Sequence, residues 1–277
     1  MDIKIIVASH KEFEMPEDDM YLPLFVGAEG KEDLITARTC EKNGQKYVVA
    51  DAMIRDDSGD HISGRNSMYC ELTGLYWAWK NLNCEYSGLV HYRRHFADIP
   101  GWRMTRDPQR HILQRTQLEP LLQQTDIVLP KKRNYYITSI YDHYAASHYE
   151  EHLKVTREVL ARLHPNYLVA YDDVMKSTSA HMFNMMIMKK DILDAYCEWL
   201  FPLLFEIETH IDSSSYDAFQ KRYPGRLSEL LLDVWIQTND LSYKEVPVRM
   251  MGKVQWGRKI WSFLCAKFFK KQYRQGF

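Results

Sequence analysis

Two adjacent arginines are the first residues in the sequence that could do chemistry. Arg93 and Arg94 follow residues 87–92, an apolar run that predicts a buried strand. A guanidinium group binds phosphate oxygens through paired hydrogen bonds, so these residues could hold a diphosphate and stabilise its charge as it departs. Strand alternation would point the two side chains to opposite faces, so that only one would touch phosphate. The alternative is a surface role in which they pair with Asp56, Asp57 or Asp98.

Two carboxylates near the end of the sequence could act as a general base. Glu229 and Asp233 stand at positions i and i+4 of a helix predicted to follow the break at Pro224-Gly225, away from its apolar side. An acceptor hydroxyl becomes a nucleophile when a positioned carboxylate takes its proton. We predict this catalytic role for Glu229 first and for Asp233 second. The alternative for Glu229 is structural, because the helix dipole favours an acidic residue in the first turn.

A bound metal would need acidic or histidine ligands at a suitable spacing. The sequence has no Asp-x-Asp triplet, with which many enzymes that bind nucleotide sugars hold a divalent cation. His91 and His95 have the spacing of a helical zinc pair, but residues 88–90 favour a strand. The acidic residues between 56 and 60 lack the spacing of an EF-hand loop. We therefore expect that no metal or other cofactor is required, with a divalent cation as the alternative.

Four further polar residues stand in apolar or aromatic surroundings. His181 and Asn184 bracket the start of a predicted strand, and Tyr144 and His148 lie in a predicted helix rich in tyrosine and histidine. Polar groups beside a buried strand must find hydrogen-bond partners. These four are either internal hydrogen-bonding residues or ligands of the acceptor, and the sequence leaves both possibilities open.

Apolar periodicity predicts the elements that would position these side chains. Residues 3–8 form a β-branched run that ends at Ser9-His10 and predicts a buried strand, and in an open α/β sheet ligands bind at the carboxyl ends of such strands. Further strands are predicted at residues 46–50, 87–92, 126–130, 182–188 and 244–248. Helices are predicted around residues 72–79, 117–124, 139–174, 192–203 and 227–235. Strands that alternate with helices indicate an α/β fold.

The composition is that of an ordinary globular body. The chain has 277 residues, and its formal net charge of -1 gives no overall attraction to nucleic acid. Its five cysteines are scattered without a Cys-x-x-Cys pair, which argues against a disulfide framework and a zinc ribbon and fits a reducing cytosol. We find neither a signal-peptide pattern at the start nor a run of about 18 apolar residues that could span a bilayer.

The segment after Met251 differs from the rest of the chain in charge. It contains no acidic residue, and its basic residues are Lys253, Arg258, Lys259, Lys267, Lys270, Lys271 and Arg274. On a helix, most aromatic side chains of this segment gather on one half and most lysines on the other, which suits the interface of an anionic membrane. We predict a body over residues 1–250 and a membrane-binding amphipathic helix over residues 251–277. The alternative is a helix that packs on the body.

Several segments resemble a bacterial family of capsule and lipopolysaccharide glycosyltransferases that was long carried as a domain of unknown function. They are KIIVASHK at residues 4–11, DDSGDHIS at 56–63, YCELTGLYWAWKN at 69–81, GLVHYRRHF at 88–96, DIVLPKK at 126–132, FNMMIMKKDILDAYCEWLFPLLFEIE at 183–208 and LSELLLDVWI at 227–236. The resemblance runs in order through nearly the whole chain.

This resemblance implies a GT-A-like α/β fold, a mostly parallel sheet flanked by helices that binds a nucleotide-diphospho-sugar at the carboxyl ends of its strands. It implies UDP-galactose or UDP-galactofuranose as the donor and a lipid-linked oligosaccharide as the acceptor, at the inner face of the plasma membrane. By the same resemblance, the nucleotide is bound by Ser9, His10, Asn66 and Glu71, and the diphosphate by His91, Arg93 and Arg94. Glu229 is then the base.

Three hypotheses follow. The first is an inverting, metal-independent glycosyltransferase. The second is a metal-dependent nucleotide-sugar phosphohydrolase that uses His91, His95 and the nearby aspartates. The third is a non-catalytic scaffold of a polysaccharide assembly complex, which retains a degenerate donor pocket.

Overall fold

The computed structural model describes residues 1–11, 13–31, 53–103 and 105–251, together with the backbone of two short strands between residues 40 and 47. The strands are β1 (Ile3–Ser9), β2 (Tyr21–Phe25), β3 (Cys40–Lys42), β4 (Gln45–Tyr47), β5 (Ile54–Arg55), β6 (Tyr86–His91), β7 (Arg94–Phe96), β8 (Ile127–Pro130), β9 (Arg133–Asn134), β10 (Ser179–Ala180), β11 (Met186–Lys189), β12 (Lys244–Val246) and β13 (Val248–Met250). The α-helices are α1 (Asn66–Tyr69), α2 (Leu72–Asn81), α3 (Arg115–Leu122), α4 (Ile140–Ala145), α5 (Glu151–Leu163), α6 (Leu168–Lys176), α7 (Lys190–Thr209) and α8 (Tyr223–Thr238).

The central sheet has the strand order β12-β8-β11-β6-β1-β2-β5. β1 runs parallel to both of its neighbours, β2 and β6, and the outer pairs β2–β5 and β8–β12 are also parallel. β11 is inserted antiparallel between β6 and β8. β7 continues from β6 as an antiparallel strand and pairs with β13. The sheet is therefore mixed but mostly parallel.

Both faces of the sheet are covered, which explains the continuous apolar run of β1. Ile6 and Ala8 point into a core shared with α2 and with α5 to α8, whereas Ile5 and Val7 point into a second core that includes α3. A parallel strand that is buried on both faces has no polar alternation. The same layering makes α8 a central helix, since most of its residues are buried.

Most predicted elements are present, but several differ from the expectation. The helical stretch predicted over residues 139–174 is divided into α4, α5 and α6. Residues 182–185 form a turn, and the strand predicted over 182–188 begins only at Met186. Pro224 and Gly225 lie inside the first turn of α8, where a proline has no hydrogen-bonded N–H to lose, so they do not break the chain before the helix. The last predicted strand is divided at Pro247 into β12 and β13. The strand predicted at 46–50 is described only over Gln45–Tyr47.

Two predictions concern the membrane and the end of the chain. Across the described residues, we find no helix with the length and apolarity needed to cross a membrane. The amphipathic helix predicted over residues 251–277 lies, apart from Met251, outside the described residues and stays a prediction.

Candidate active site

The parallel strands bring distant chain segments to one cavity. The carboxyl ends of β1, β2 and β6 lie at the same edge of the sheet because these strands are parallel. A cavity of about 360 Å³ opens at this edge. It is lined by residues that follow the three strands, by α1, by the chain from β9 to the start of α5, and by the first half of α8. Ligands bind at this position in open α/β sheets.

Arginines dominate the charge of this cavity. Its arginines are Arg93, Arg94, Arg133, Arg222 and Arg226, and its carboxylates are Glu71 and Glu229. Arg94 is only 7% exposed, and its Nε has no hydrogen-bond partner within the described residues. A buried guanidinium nitrogen without an acceptor carries a desolvation cost that a bound anion would remove. The cavity is therefore suited to an anionic ligand.

Both Arg93 and Arg94 line the cavity, so the expectation from strand alternation is wrong. β6 ends at His91, and Tyr92 and Arg93 form a turn before β7 begins at Arg94. The aspartates considered as surface partners bind other groups: Asp56 accepts hydrogen bonds from the backbone of Gly27 and Ala28, Asp57 pairs with Arg55, and Asp98 pairs with His111. The surface role is thereby excluded for these pairings.

Glu229 lines the cavity and has a high affinity for protons. Burial and the nearby Glu71 carboxylate raise the pKa of Glu229 to about 7, although Arg94, the backbone N–H of Phe183 and Arg226 oppose the increase. Glu229 is in the second turn of α8, so the attraction of the first turn for acidic residues does not explain it. A carboxylate with this pKa can take a proton near neutral pH.

Asp233, the second predicted catalytic residue, does not line the cavity. It is buried one turn further along α8, where its Oδ1 lies 2.6 Å from Nδ1 of His181 and its Oδ2 accepts the backbone N–H of His181 at 2.8 Å. Lys132 Nζ lies 3.5 Å from Asp233, and Glu245 Oε1 lies 3.1 Å from Nε2 of His181. The roles predicted for Asp233 and His181 are corrected: these residues form an internal network that fastens α8 to β12.

His91 and Glu71 are held by the turn that precedes β11. His91 Nε2 lies 2.6 Å from the carbonyl oxygen of Phe183, which can only accept, so this nitrogen carries the hydrogen and Nδ1 is an acceptor. Burial lowers the pKa of His91, which favours the neutral ring. Glu71 Oε1 accepts a hydrogen bond from Asn184 Nδ2 at 2.7 Å. Asn184 itself does not line the cavity, so its predicted acceptor role is corrected to one of support for Glu71.

Ser9 and His10 differ in their position although they are neighbours. His10 lines the cavity, and its ring packs edge to face on Tyr92 at 5.5 Å between centroids. Ser9 is buried, and its hydroxyl donates to the carbonyl oxygen of Lys11 at 2.6 Å. The nucleotide-binding role predicted for the Ser9 side chain is corrected, because that side chain closes the turn after β1.

Asn66 lines the cavity beside a glycine that must remain small. Its amide donates to the carbonyl oxygen of Cys70 at 2.7 Å and to Thr73 Oγ1 at 3.1 Å, which fixes its orientation. Gly27 has a φ of 69°, and a Cβ added there would lie 2.6 Å from Asn66 Cγ. The close approach of Gly27 therefore helps to position Asn66.

Four aromatic or imidazole rings form another part of the lining, which we call the aromatic wall: Tyr135, His143, Tyr144 and His148. The rings of Tyr135 and His143 have their centroids 3.9 Å apart, and Arg226 donates to Nδ1 of His148 at 3.1 Å. Burial and Arg226 lower the pKa of His148 to about 3, and burial and Arg133 lower that of His143 to about 4. Neutral rings at physiological pH suit stacking and hydrogen bonding with an uncharged sugar.

The cavity residues that the sequence reasoning missed include Arg133, Tyr135, His143, Phe183, Arg222 and Arg226. Two signals could have found the arginines. Arg226 precedes Glu229 by three residues on the same side of α8, and Arg222 is the residue directly before this helix. Arg133 ends a basic run after β8, which runs parallel to β6 because both are antiparallel to β11.

The cavity does not have the donor set of a divalent-cation site. Within the described parts of the chain, no group of three or more histidine, cysteine, aspartate or glutamate residues could hold a metal ion. Five guanidinium groups outnumber two carboxylates in the lining, and one of these carboxylates has a pKa of about 7. His91 lines the cavity but His95 does not; it is buried on the other side, beside Tyr21. The residues named for a hydrolytic metal site are thus not brought together.

The fold and the cavity together define a GT-A-like α/β protein. Residues 4–240 match the family model described as a domain of unknown function, DUF4422, and the chain belongs to this family. A solved structure, that of the bifunctional glycosyltransferase WbbM in its apo form, is similar with a TM-score of 0.78 and 27% sequence identity. The match covers 91% of this chain and 46% of WbbM, so the chain spans about half the length of that protein. No curated protein matched the sequence.

Proposed function

We propose that this protein is a glycosyltransferase that moves a hexosyl group from a UDP-sugar to a hydroxyl group of an oligosaccharide or lipid-linked acceptor. The observation that carries the proposal is one cavity at the carboxyl edge of the sheet in which five arginines outnumber two carboxylates, one of which has a near-neutral pKa. The similarity to WbbM supports the reaction class. The family resemblance favours galactose or galactofuranose as the sugar and capsule, O-antigen or exopolysaccharide synthesis as the process.

In this proposal, Arg93 and Arg94 bind the diphosphate. The bond between the anomeric carbon and the diphosphate oxygen breaks, and its electron pair stays on the departing UDP. Guanidinium groups stabilise that charge, which is the role of a divalent cation in many related reactions. The buried Nε of Arg94 is the donor that most needs such an anion.

Glu229 completes the reaction on the acceptor side. The acceptor oxygen forms a bond to the anomeric carbon, and its proton passes to the Glu229 carboxylate. A direct displacement of this kind inverts the configuration at the anomeric carbon. Its pKa of about 7 means that Glu229 is sufficiently deprotonated to act at neutral pH and still basic enough to take the proton.

The aromatic wall lies in the same cavity and supports the acceptor role proposed for Tyr144 and His148. Its rings offer apolar faces for a sugar ring, and the neutral imidazoles offer hydrogen bonds to hydroxyl groups. Two half-buried arginines, Arg133 and Arg226, line the same region. We propose that the acceptor sugar packs against this wall with its hydroxyl directed to Glu229.

The test is a mass-spectrometric assay of the full chain with a panel of UDP-sugars and acceptors, with UDP-galactose and UDP-galactofuranose included. We expect transfer from a UDP-sugar that persists in excess EDTA. Strict dependence on added Mn²⁺ or Mg²⁺ would show that the arginines do not replace a metal. Release of the sugar phosphate without acceptor would support the phosphohydrolase, and binding of UDP-sugars without turnover over the whole panel would support the scaffold.

A further inference from the structure

The turn between β10 and β11 has an unusual backbone. Phe183 and Asn184 are consecutive non-glycine residues with φ values of 82° and 52°. Residues with a Cβ rarely adopt this left-handed region, and two in succession persist only when their surroundings fix them. If the turn only connected two strands, glycine residues would adopt this backbone conformation with less strain. The side chains and peptide groups of this turn therefore need another explanation.

Four groups of the turn contact residues of the cavity. The carbonyl oxygen of Phe183 accepts the hydrogen bond from His91, and its backbone N–H bonds to the carboxylate of Glu229. The guanidinium group of Arg94 lies 4.6 Å from the centre of the Phe183 ring. Together with the Asn184 amide on Glu71, these contacts reach four of the charged or titratable groups that line the cavity: Glu71, His91, Arg94 and Glu229.

The turn itself is held in place by hydrogen bonds to α8. Asn184 is 2% exposed, its Oδ1 accepts a hydrogen bond from Ser228 Oγ at 2.5 Å, and its Nδ2 also donates to the carbonyl oxygen of Gly225 at 2.8 Å. Two residues later, Met186 pairs with Leu89 of β6. The turn is thus tied both to the helix that carries Glu229 and to the strand that ends at His91.

We propose that Phe183 and Asn184 are positioning residues, which hold Glu71, His91, Arg94 and Glu229 in one fixed arrangement for glycosyl transfer. The inference rests on the proposed function but names a different part of the molecule. The Asn184 amide has a particular role, because it keeps the Glu71 carboxylate close to Glu229. A nearby negative charge favours protonation of Glu229, so this contact sets the pH at which the base becomes active.

The test is the variant Asn184→Gly, which keeps the left-handed backbone and removes the amide. We expect the variant to fold with a lower thermal midpoint, because it loses its buried hydrogen bonds with Gly225 and Ser228. Its UDP affinity should stay near that of the wild type, while kcat falls about tenfold or more. Once Glu71 is released, Glu229 loses a proton more easily, so the acidic limb of the kcat profile moves to lower pH. Asp240→Gly is the matched control, because Asp240 has a φ of 49° but is exposed at the end of α8. Asp240→Gly should change neither kcat nor the pH of the acidic limb of the kcat profile.

A wild-type kcat and an unmoved limb in Asn184→Gly would overturn the inference. If that variant does not fold, Ser228→Ala is the deciding variant, because it removes only the hydroxyl that anchors Asn184. We expect the acidic limb of its kcat profile to shift in the same direction by a smaller amount. The absence of any shift would overturn the proposal. Failure of the proposed function has a different signature. In that case the wild-type chain transfers no sugar over the whole panel of UDP-sugars and acceptors, or Glu229→Gln keeps the turnover and the pH profile of the wild type, whatever the turn variants do.

Discussion

At the scale of single residues, Glu229 is the group on which the proposed chemistry depends. Glu71 and burial favour its protonated form, whereas Arg94 and Arg226 favour the carboxylate. The balance leaves a base that is half ionised near neutral pH. An ordinary glutamate with a pKa near 4.5 would be a weaker base for an alcohol.

We predict that Glu229→Gln lowers turnover by about 10²-fold or more while UDP binding and folding are kept, because loss of a general base has this scale. Turnover and calorimetric UDP binding are the measurements. Asp233→Asn is the comparison, since Asp233 does not line the cavity: it should lower stability through the loss of its contact with His181 and leave most of the turnover. Near-normal turnover in Glu229→Gln would move the base elsewhere. His148, which lines the cavity, would be tested before Asp142, which is exposed and accepts a hydrogen bond from Ser139 at the start of α4.

The raised pKa also predicts a cost in stability. Between its usual pKa of 4.5 and about 7, the folded protein holds a proton on Glu229 that the unfolded chain releases, so stability decreases as the pH rises through this range. At pH 8, Glu229→Gln should increase the free energy of unfolding by about 1 to 3 kcal/mol, and by much less at pH 5. Urea denaturation at both pH values measures the difference. An equal effect at both pH values would show that the charge is not responsible.

The paired arginines predict a loss of donor affinity. Arg93→Ala and Arg94→Ala should each weaken UDP binding by about tenfold or more, because a hydrogen bond to a charged group contributes about 1.5 to 3 kcal/mol. Arg110→Ala is the matched control: Arg110 pairs with Asp107 on the surface, and its side chain is 84% exposed. Calorimetry with UDP measures all three. If both cavity variants bind UDP and turn over as the wild type does, the assignment of the diphosphate site is wrong.

At the scale of elements, the buried and periodic segments could be predicted and the turns could not. β1 and β6 could be predicted from their apolar runs, because a strand that is buried on both faces has apolar residues throughout. α2 could be predicted from its i, i+3, i+4, i+7 spacing, because a helix that is buried along one side has apolar residues at that spacing. The turn at Tyr92-Arg93 and the left-handed turn at Phe183-Asn184 leave none. Their conformation depends on contacts with residues far away in the sequence, such as Ser228.

For the same reason, the candidate site was only partly predicted. Glu229 was predicted from its position on a helix, and Glu71 and His91 were assigned through the family resemblance; all three line the cavity. Asp233 and Glu229 differ by one helical turn, yet only the structure shows that His181 approaches one of them and the cavity the other. A helical periodicity gives the angle between two side chains but not what lies opposite each of them.

The glycine after β2 provides a test at this scale. Gly27→Ala should lower stability and weaken UDP binding, because its Cβ would displace the Asn66 side chain that lines the cavity. Gly30→Ala is a close control: its φ of 71° is similar, but a Cβ there meets nothing within 4 Å. Both substitutions carry a backbone cost of about 1 kcal/mol. Only Gly27→Ala should alter UDP affinity, and equal effects would exclude a role for Asn66 in donor binding.

At the scale of the whole molecule, a net charge of -1 conceals strong local charge. The arginines of the cavity come from segments between residues 93 and 226 and meet only in the folded chain. The basic segment beyond residue 251 is a second local charge, and it underlies the predicted membrane contact. A lipid-linked acceptor is confined to a membrane surface, so binding there would raise its effective concentration.

Deletion of residues 257–277 tests this prediction. We expect loss of salt-sensitive binding to anionic vesicles, since each basic residue near the surface contributes about 1 kcal/mol. Turnover with a short soluble acceptor should be largely kept. Co-sedimentation with anionic and neutral liposomes is the measurement. Unchanged vesicle binding, or a truncated protein that does not fold, would show that this segment is not a detachable anchor.

The aromatic wall has a consequence for how such proteins diversify. Its four rings come from one uninterrupted stretch, residues 135–148, whereas the lining proposed to hold the donor is assembled mainly from residues 8–94. Under the proposed function, recombination between two relatives across this one stretch would exchange the surface that meets the acceptor and transmit the donor-binding half unchanged. The two specificities would then be inherited separately, and a new linkage would require a short genetic exchange instead of a new enzyme.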